Sequence, residues 1–581
     1  MIISLLQLLP MPVSVKYGKG YNAGKGDPQV TIKADYADEF GYEGYRLTVG
    51  KLSVRIEAAS STGAFYARQT LSQLTGEDGQ IKCATITDYP RFEYRGIHVD
   101  VARHFFPKEE IFKILDEMAR YKFNNLHFHL TDNCGWRIQI DSYPLLTEKG
   151  AYRTDSDWKE WYVKGVRTFC DKDTPGAYGG YYTKDELREI VEYAAHLHIN
   201  VIPEIEFPAH AGSVFAGYPN LTCTGESVGH GEFCPANEDV YTFAEKVLDE
   251  VLEIFPSKVI HIGSDEATRK DWAECPKCQA LMAAKGMKGT EELQIYMVDR
   301  LQKILADRGR TLAGWDEIIA DPNLDKSAIA YSYRGQKNGI KSANKGYRTV
   351  MCPGEVLYFD WYQADPLQEP HAMGGYSPIW KMYGFNPQPS NPDETAANEV
   401  YIQSRRVYSD TVGFIKSQNL DKVIGVQGCS WTEYIDTPQH LEYMIFPRFL
   451  AVAELAWSQA YKLDWDDFKP RMKAHRDAIA ARGINAYDFH DYPKITAESI
   501  GGGKSLVHMD CEQADGKILY TLDGTDPNPN SSEYTGPFEI SDEVSIKAQV
   551  FKGGEPVSYI RDSNLEAGKT LEPVFPCYWD W

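Results

Sequence analysis

No apolar run in the 581 residues approaches the roughly 18 uninterrupted positions of a membrane-spanning helix, so a span is excluded. No internal repeat or low-complexity tract occurs, which removes solenoid, collagen-like and disordered classes. Positive charge is scarce: 61 Lys and Arg face 83 Asp and Glu, for a formal net charge of −22. A surface of that sign repels phosphate, so nucleic acid and anionic membrane are not expected partners. Cysteine is sparse and odd in number, 11 residues, which excludes a small disulfide scaffold and leaves at least one thiol without an intrachain partner. Cys275-Pro-Lys-Cys278 has the spacing of a zinc or redox motif. No second CxxC or Cys/His pair follows it at ligand spacing, so no metal is expected. Cys223 and Cys234 flank a glycine-rich loop, and a bond between them stays open. The first 13 residues carry an apolar run without the basic lead or small-x-small cleavage site of a secretory leader, and Ile2–Leu6 is expected to begin a strand.

The balance of 43% hydrophobic and 25% charged residues is that of a globular protein, and the length suits about three or four domains. Aromatics reach 13%, with 37 Tyr and 12 Trp, enough to ask whether flat apolar faces meet a neutral ring such as a sugar. Residues 1–90 alternate short β-like runs (Val13–Tyr17, Tyr45–Val49, Leu52–Ile56) with one helical patch, Gly63 to Leu74, and predict an N-terminal α+β domain. From Arg91 onward, apolar strands alternate with amphipathic helices. The expected strands are Tyr94–Val99, Asn125–Leu130, Asn200–Ile205, Val259–Ile262, Thr311–Ala313, Ala328–Tyr331, Tyr347–Met351 and Val423–Val426. Pro107–Tyr121, Lys184–Leu197, Val240–Ile254, Glu291–Ala306 and His440–Trp457 read as helices. Eight such units over residues 91–490 predict a (β/α)8 TIM barrel, with a doubly wound sheet as the alternative. Residues 498–568 return to strands and predict a small C-terminal β-sandwich, followed by a tail at 569–581. Within it, Asp523-Gly-Thr-Asp526 reads as a turn before it reads as a calcium site.

In a β/α barrel the chemistry sits past the carboxyl ends of the strands. Those ends carry Asp100 and Arg103-His104, then Asp132-Asn133, Glu206 to His210, Ser264-Asp265-Glu266, Trp315-Asp-Glu317, Tyr333-Arg334, Tyr358 to Trp361, and Trp431-Thr-Glu433. The sharpest feature is Asp265-Glu266. Neighbouring carboxylates repel and raise one pKa, and a glycosidase needs a protonated carboxyl near neutral pH to protonate the leaving oxygen. Adjacent residues on an extended strand point apart, so they would not span one glycosidic bond as an ordinary acid and nucleophile. The competing reading is a helix N-terminus, where acidic residues favour the dipole.

Asp100-Val-Ala-Arg-His-Phe-Phe106 after Arg95-Gly96, His127-Phe-His-Leu-Thr-Asp132, Glu204-Ile-Glu-Phe-Pro-Ala-His210, His261-Ile-Gly-Ser-Asp-Glu266, Gly314-Trp-Asp-Glu317 and Trp431-Thr-Glu433 occur in one order. Together they resemble the family 20 glycoside hydrolases, the β-N-acetylhexosaminidases, across residues 91–490. The leading domain is similar to that family's α+β appendage and the tail to its chitobiase-type sandwich. The resemblance implies substrate-assisted catalysis, in which the 2-acetamido oxygen attacks the anomeric carbon and an oxazolinium ion forms. Glu266 would be the general acid and later the base. Asp265 would orient the acetamido N–H, and Asp132 and His210 would form a polar relay to Glu266. Arg95 would hold the 3- and 4-hydroxyls, and Tyr358 would bond the acetamido carbonyl. Trp315, Tyr333 and Trp431 would wall the sugar, while Asp360 and Glu433 would read the 4- and 6-hydroxyls. His127 and His129 read as packing or hydrogen-bonding residues, and Trp361 as a loop anchor or aglycone platform. The implied partner is a glycan ending in N-acetylhexosamine; no cofactor is implied, and family habit points to an exported enzyme.

The chain departs from the family pattern at Ser264 and Ala209, where Gly is usual, at Glu206 and Asn133, where Asp is usual, and at Tyr333, where Trp is usual. Tyr333 predicts a wider or more polar pocket wall, and Gly374–Trp380 is expected to line the entrance. Different family-20 specificity, such as release of a disaccharide or a modified sugar, is the nearest alternative. A sugar-binding protein without catalysis would not need the carboxylate pair. A metal-dependent amidohydrolase would want further histidines where Trp315 and Tyr333 stand.

Overall fold

The computed structural model describes residues 8–24, 26–76, 78–165, 167–226, 230–364, 366, 369–391, 413–488, 493–511, 516–558 and 560–571. The expected strand at Ile2–Leu6 and residues 572–581 of the tail lie outside them. Tyr45–Val49 and Val54–Ala58 bury alternate side chains, the period-two signature of a strand with one covered face. They form a hairpin inside a five-stranded sheet with Ser14–Asn22, Ile81–Asp88 and Gln29–Ile32. Ser60 caps the helix Ser61–Leu74, whose Ala64, Tyr66, Ala67 and Leu74 cover that face.

Eight parallel strands close the barrel: Tyr94–Asp100, Asn125–His129, Asn200–Phe207, Val259–Gly263, Thr311–Trp315, Ile329–Ser332, Arg348–Met351 and Val423–Ser430. The last pairs with the first, Gly425 against Tyr94 through Ser430 against Val99, which excludes the doubly wound alternative. Each strand matches an apolar run read from the sequence. Several run further toward the site, the third to Phe207, the fifth to Trp315 and the eighth to Ser430. The helices Lys108–Arg120, Lys184–His196, Glu238–Ile254 and Glu291–Asp307 stand where periodicity placed them. The long helix expected over His440–Trp457 is instead two, Pro438–Ile445 and Arg448–Trp457. Pro447 has no N–H to continue the first, and Phe446 before it is extended at φ −98°, ψ 134°.

The N-terminal sheet and the barrel form one compact unit, joined at the barrel's amino end by buried polar contacts. Asp88 accepts from Trp457 Nε1 at 3.0 Å and pairs with Lys122 Nζ at 2.8 Å, while Tyr45 accepts from Lys122 at 2.9 Å.

The second unit is an antiparallel sandwich. One sheet holds Lys494–Gly501, Lys504–Asp510 and Phe538–Ile540; the other is built on Lys517–Thr521, Val544–Lys552 and Arg561–Leu565. Ile495, Val507, Ile546 and Val550 fill its core. Asp523 accepts from Thr525 N at 3.0 Å and Asp526 pairs with Lys547 at 2.7 Å, so this stretch is a turn with an ion pair. Among the described residues, no helix is long and apolar enough to cross a membrane.

Candidate active site

The fourth strand leaves the barrel through Gly263 (φ 65°), Ser264 (φ 74°), Asp265 and Glu266 (φ 50°). Left-handed backbone costs an L-residue roughly 1–2 kcal/mol, and such strain persists where surrounding structure imposes it. Here it turns the chain sharply, so Asp265 and Glu266 do not point apart as on an extended strand. Nor do they begin a helix, since the next one starts at Lys270. His210, itself at φ 52°, faces both: its Nε2 lies 3.5 Å from Asp265 Oδ2 and 3.5 Å from Glu266 Oε2. The usual Gly at position 264 has a physical reason, because the position is left-handed and Ser264 carries the strain.

Behind His210 runs a chain of alternating charge. His210 Nδ1 is 3.5 Å from Asp132 Oδ2, which also pairs with Arg103 Nη2 at 3.0 Å and His129 Nε2 at 3.1 Å. His129 Nδ1 reaches Glu204 at 2.6 Å, and Glu204 also faces His261 at 2.8 Å and His127 at 3.2 Å. His127 and His129 therefore point the same way, into the barrel, and serve this network. Burial pushes Asp132 up, but Arg103, His210 and His129 outweigh it and hold its carboxyl far below the ordinary range. Burial works against the charged form of His210, yet Asp132 and Asp265 raise it well above an ordinary imidazole. His129 rises to about 10 because Glu204 and Asp132 overcome its burial.

The pair itself is split. Burial, aided by Glu266's charge, lifts Asp265 to about 7 although His210 opposes it. Burial also lifts Glu266, but the facing His210 imidazole, with the Arg103 charge behind, brings it below the ordinary value. The side chains are 9% and 42% exposed respectively, so water favours the Glu266 anion. Of the two neighbouring carboxyls, the raised pKa expected of one falls on Asp265.

Aromatic rings cluster beside the pair. Trp315 lies 5.5 Å from Tyr333 and 5.6 Å from Trp431 between ring centroids, and Tyr358 lies 6.2 Å from Trp431. Tyr333 donates its hydroxyl to Glu317 Oε1 at 3.0 Å. Burial, with the charges of Asp316 and Asp265, pushes Glu317 up to about 8. Opposite stand Asp360, raised by burial and by Glu433, and Glu433, raised to about 7 chiefly by burial. Among the described residues, both Asp360 oxygens, Glu433 Oε2, Asp265 Oδ1 and the indole N–H groups of Trp315 and Trp361 have no hydrogen-bond partner of normal geometry. The Asp360 and Trp431 backbone amides only face the Asp360 carboxylate. Buried polar atoms left in that state are costly unless a ligand meets them.

Arg95 does not belong to this group. It is the second residue of its strand, about 16 Å of chain before the carboxyl end at roughly 3.3 Å per residue. All five of its N–H donors are used, on Lys122 O, Phe92 O, both Glu43 oxygens and Tyr66 OH. It ties the barrel's amino end to the N-terminal domain and has no donor left for a sugar. Arg103 stands in the expected place instead, 3.0 Å from Asp132, 3.6 Å from Glu433 and over the Trp431 ring at 4.9 Å. The strand-end rule was enough to find it, since it follows the first strand's carboxyl end and Arg95 does not. Glu317, which accepts from Tyr333, stood in its strand-end motif without a role of its own. Gly374–Trp380 is mostly buried rather than at the entrance. The φ of 64° at Gly375 and the lack of a Cβ let Trp361 pack directly on it, so this stretch braces Trp361 from behind.

A closed β/α barrel whose strand ends gather a strained carboxylate pair, a charge relay, an aromatic cluster and carboxylate oxygens without a hydrogen-bond partner is of the glycoside-hydrolase class. The chain belongs to glycosyl hydrolase family 20: that family's catalytic-domain model matches residues 92–460, its domain 2 model residues 6–89, and the chitobiase/beta-hexosaminidase C-terminal model residues 501–561. It is 35% identical over 557 residues to a beta-hexosaminidase of Porphyromonas gingivalis, covering 92% of this chain and 66% of that protein. It is 33% identical over 422 residues to one of Vibrio furnissii, covering 70% and 64%. The chain thus spans about two thirds of the length of these curated relatives. The GH20 exo beta-N-acetylglucosaminidase of Vibrio harveyi, solved with N-acetylglucosamine, superposes with a TM-score of 0.69 at 27% identity, covering 83% of this chain and 78% of that one.

Proposed function

We propose that the chain is an exo-acting β-N-acetylhexosaminidase that removes terminal β-linked GlcNAc or GalNAc with retention, the substrate's acetamido oxygen acting as nucleophile. The observation that carries this is the single turn that sets Asp265 and Glu266 side by side, both 3.5 Å from one imidazole nitrogen. Two carboxylates that converge on one imidazole suit a mechanism needing one proton donor and one anion at neighbouring points of one sugar.

The titration order of the pair fits this chemistry once the substrate is considered. Each carboxyl's charge raises the other, and the proton the pair keeps to about pH 7 lies on Asp265. An acetamido N–H bound at Asp265 favours its anion, so the shared proton passes to Glu266, where it faces the leaving oxygen. His210, tied through Asp132 to His129 and Glu204, stabilises whichever carboxylate is charged. After the aglycone departs, Glu266 takes the proton of the attacking water. Trp315, Tyr333, Trp431 and Tyr358 hold the acetamido group and exclude water. Asp360 and Glu433 accept from the sugar's outer hydroxyls, and Arg103, not Arg95, is the cation at this end, where it also keeps Glu433 and Asp132 in place. The tyrosine wall at 333, hydrogen-bonded to Glu317, adds a polar edge where the family usually has indole. Export is part of the proposal, because glycans ending in these sugars lie outside the cell.

The test is a panel of aryl β-glycosides with and without the 2-acetamido group, with the product anomer followed by NMR. The proposal expects turnover confined to the acetamido sugars and release of the β-anomer. Equal rates on plain glucosides, or release of the α-anomer, overturn it. Glu266→Gln should lower kcat by about 10²–10⁴-fold, the usual weight of proton donation.

A further inference from the structure

Four cysteines that the spacing rule left apart meet in the fold. Cys223 and Cys234 lie between the third barrel strand and the helix Glu238–Ile254, while Cys275 and Cys278 stand at the start of the helix Pro276–Lys285. Cys278 Sγ is 3.7 Å from Cys223 Sγ and 3.7 Å from Cys234 Sγ, Cys234 and Cys275 are 4.0 Å apart, and all four sulfurs lie within 4.8 Å of one another. We infer that Cys223, Cys234, Cys275 and Cys278 form a tetrathiolate site for one zinc ion, which fixes the two loops that carry His210 and the Asp265–Glu266 pair.

The distances favour a metal over disulfides. Bonded sulfurs sit about 2.05 Å apart. Four sulfurs around a zinc at about 2.3 Å, tetrahedrally arranged, lie about 3.8 Å from each other. The pattern also argues against pairing, because Cys278 touches two sulfurs and Cys234 touches two. Three of the four cysteines are buried, against Ala209, Ala267, Trp272 and Leu293. Unligated thiols there would have only each other as weak partners. Cys275 is the N-cap of its helix and Cys278 lies in the first turn, where free backbone N–H groups and the dipole favour thiolate charge. Soft sulfur ligands in a tetrahedron select zinc among common divalent ions.

Its place in the fold gives the site a role that does not depend on the reaction proposed above. Phe233, next to Cys234, donates its N–H to Pro208 O at 2.9 Å, and Ala211 N donates to Gly231 O at 3.0 Å, so residues 231–233 clasp the backbone on both sides of His210. Across the gap, Trp272 Nε1 donates to Phe233 O at 2.9 Å and Arg269 N to Glu232 Oε1 at 3.0 Å, just past Glu266. A zinc bound to one cysteine pair from each loop closes that clasp and resists drift of His210 from the carboxylates.

The experiment uses the full chain purified with reductant and without chelator. Elemental analysis should find one zinc per chain, released when four thiols are titrated by a mercurial. Cobalt(II) exchanged into the same protein should show the visible and near-ultraviolet thiolate bands of tetrahedral sulfur coordination. Cys278→Ser and Cys234→Ser should each lose the metal and melt lower, and Cys83→Ser should keep it. The cobalt spectrum is read on the native chain, so misfolding of a variant does not decide the outcome. Metal-free protein with four reactive thiols, disulfides among these cysteines in a non-reducing peptide map, or a cobalt spectrum of nitrogen and oxygen ligands from the His127–His129–Glu204 region would each overturn the inference.

Discussion

His210→Asn removes one cation that faces two acids, and its consequence can be worked from geometry. At an effective dielectric near 20, a unit charge 3.5 Å from a carboxylate oxygen is worth about 5 kcal/mol, or about 3.5 pKa units, as an upper bound. Glu266 is 42% exposed, so solvent screens much of its share. A rise of about 1–2 units in the pair's apparent titration is the expectation. The sign follows from the charge: an imidazolium favours both anions, and without it both carboxyls hold protons to higher pH. The alkaline limb of kcat/KM, which reports loss of the donor's proton, therefore moves upward from its wild-type position. The rate at the optimum falls, bounded by the full contribution of proton donation, about 10²–10⁴-fold. The assay is kcat/KM for a fluorogenic aryl β-N-acetylglucosaminide at a series of pH values, with the variant's melting temperature measured alongside. A limb that stays in place or shifts to lower pH would refute the reasoning.

Arg95→Met should cost about 3–5 kcal/mol by stranding Glu43 and the N-terminal interface, while leaving kcat intact below melting. Arg103→Met should abolish turnover by freeing Asp132 and Glu433, and thermal melts beside kinetics would separate the two. Asp265→Asn should melt higher than wild type near pH 8 and not near pH 4. Asp265 titrates at about 7 when folded against 3.8 as a free side chain, so the stability it contributes is present below about pH 4 and disappears as pH rises to 7. The neutral amide avoids that loss but should lose activity on acetamido sugars; equal melting at both pH values contradicts the buried-charge account. Tyr333→Trp removes the donor to Glu317 and fills the wall, and should change kcat/KM by about 10-fold on at least one N-acetylhexosaminide, as pocket-shape changes do. Unaltered kcat/KM on every substrate would exclude Tyr333 from the pocket.

Much of this site was legible in the chain because strand ends and chemistry coincide in a barrel. Asp132, His210, Asp265, Glu266, Trp315, Tyr333, Tyr358, Asp360, Trp431 and Glu433 all close or follow apolar runs, and the fold gathers them at the carboxyl ends of the barrel strands. Arg95 misled because its motif neighbours are real strand residues, and only its depth along the strand decides which end it serves. The carboxylate pair looked geometrically awkward because period-two alternation was assumed beyond Gly263. The left-handed run that reorients it is invisible in residue type, since Ser264 and Glu266 are not residues that advertise positive φ. The break at Pro447 was written in the sequence and was overridden by the helical periodicity on either side of it.

Patterns that repeat along the chain were decided locally: alternation and helical spacing set the strands, the helices and their order, because a buried face imposes its period on nearby residues. Which buried groups meet across hundreds of positions was decided only by closure of the barrel and the docking of its loops. That closure brings Glu204, His129, Asp132 and His210 into one line, sends Arg95 and Arg103 to opposite ends, and gathers four cysteines that no spacing rule connects. Electrostatic and sulfur contacts act through space at a few ångströms, so they follow the fold and not the order of residues.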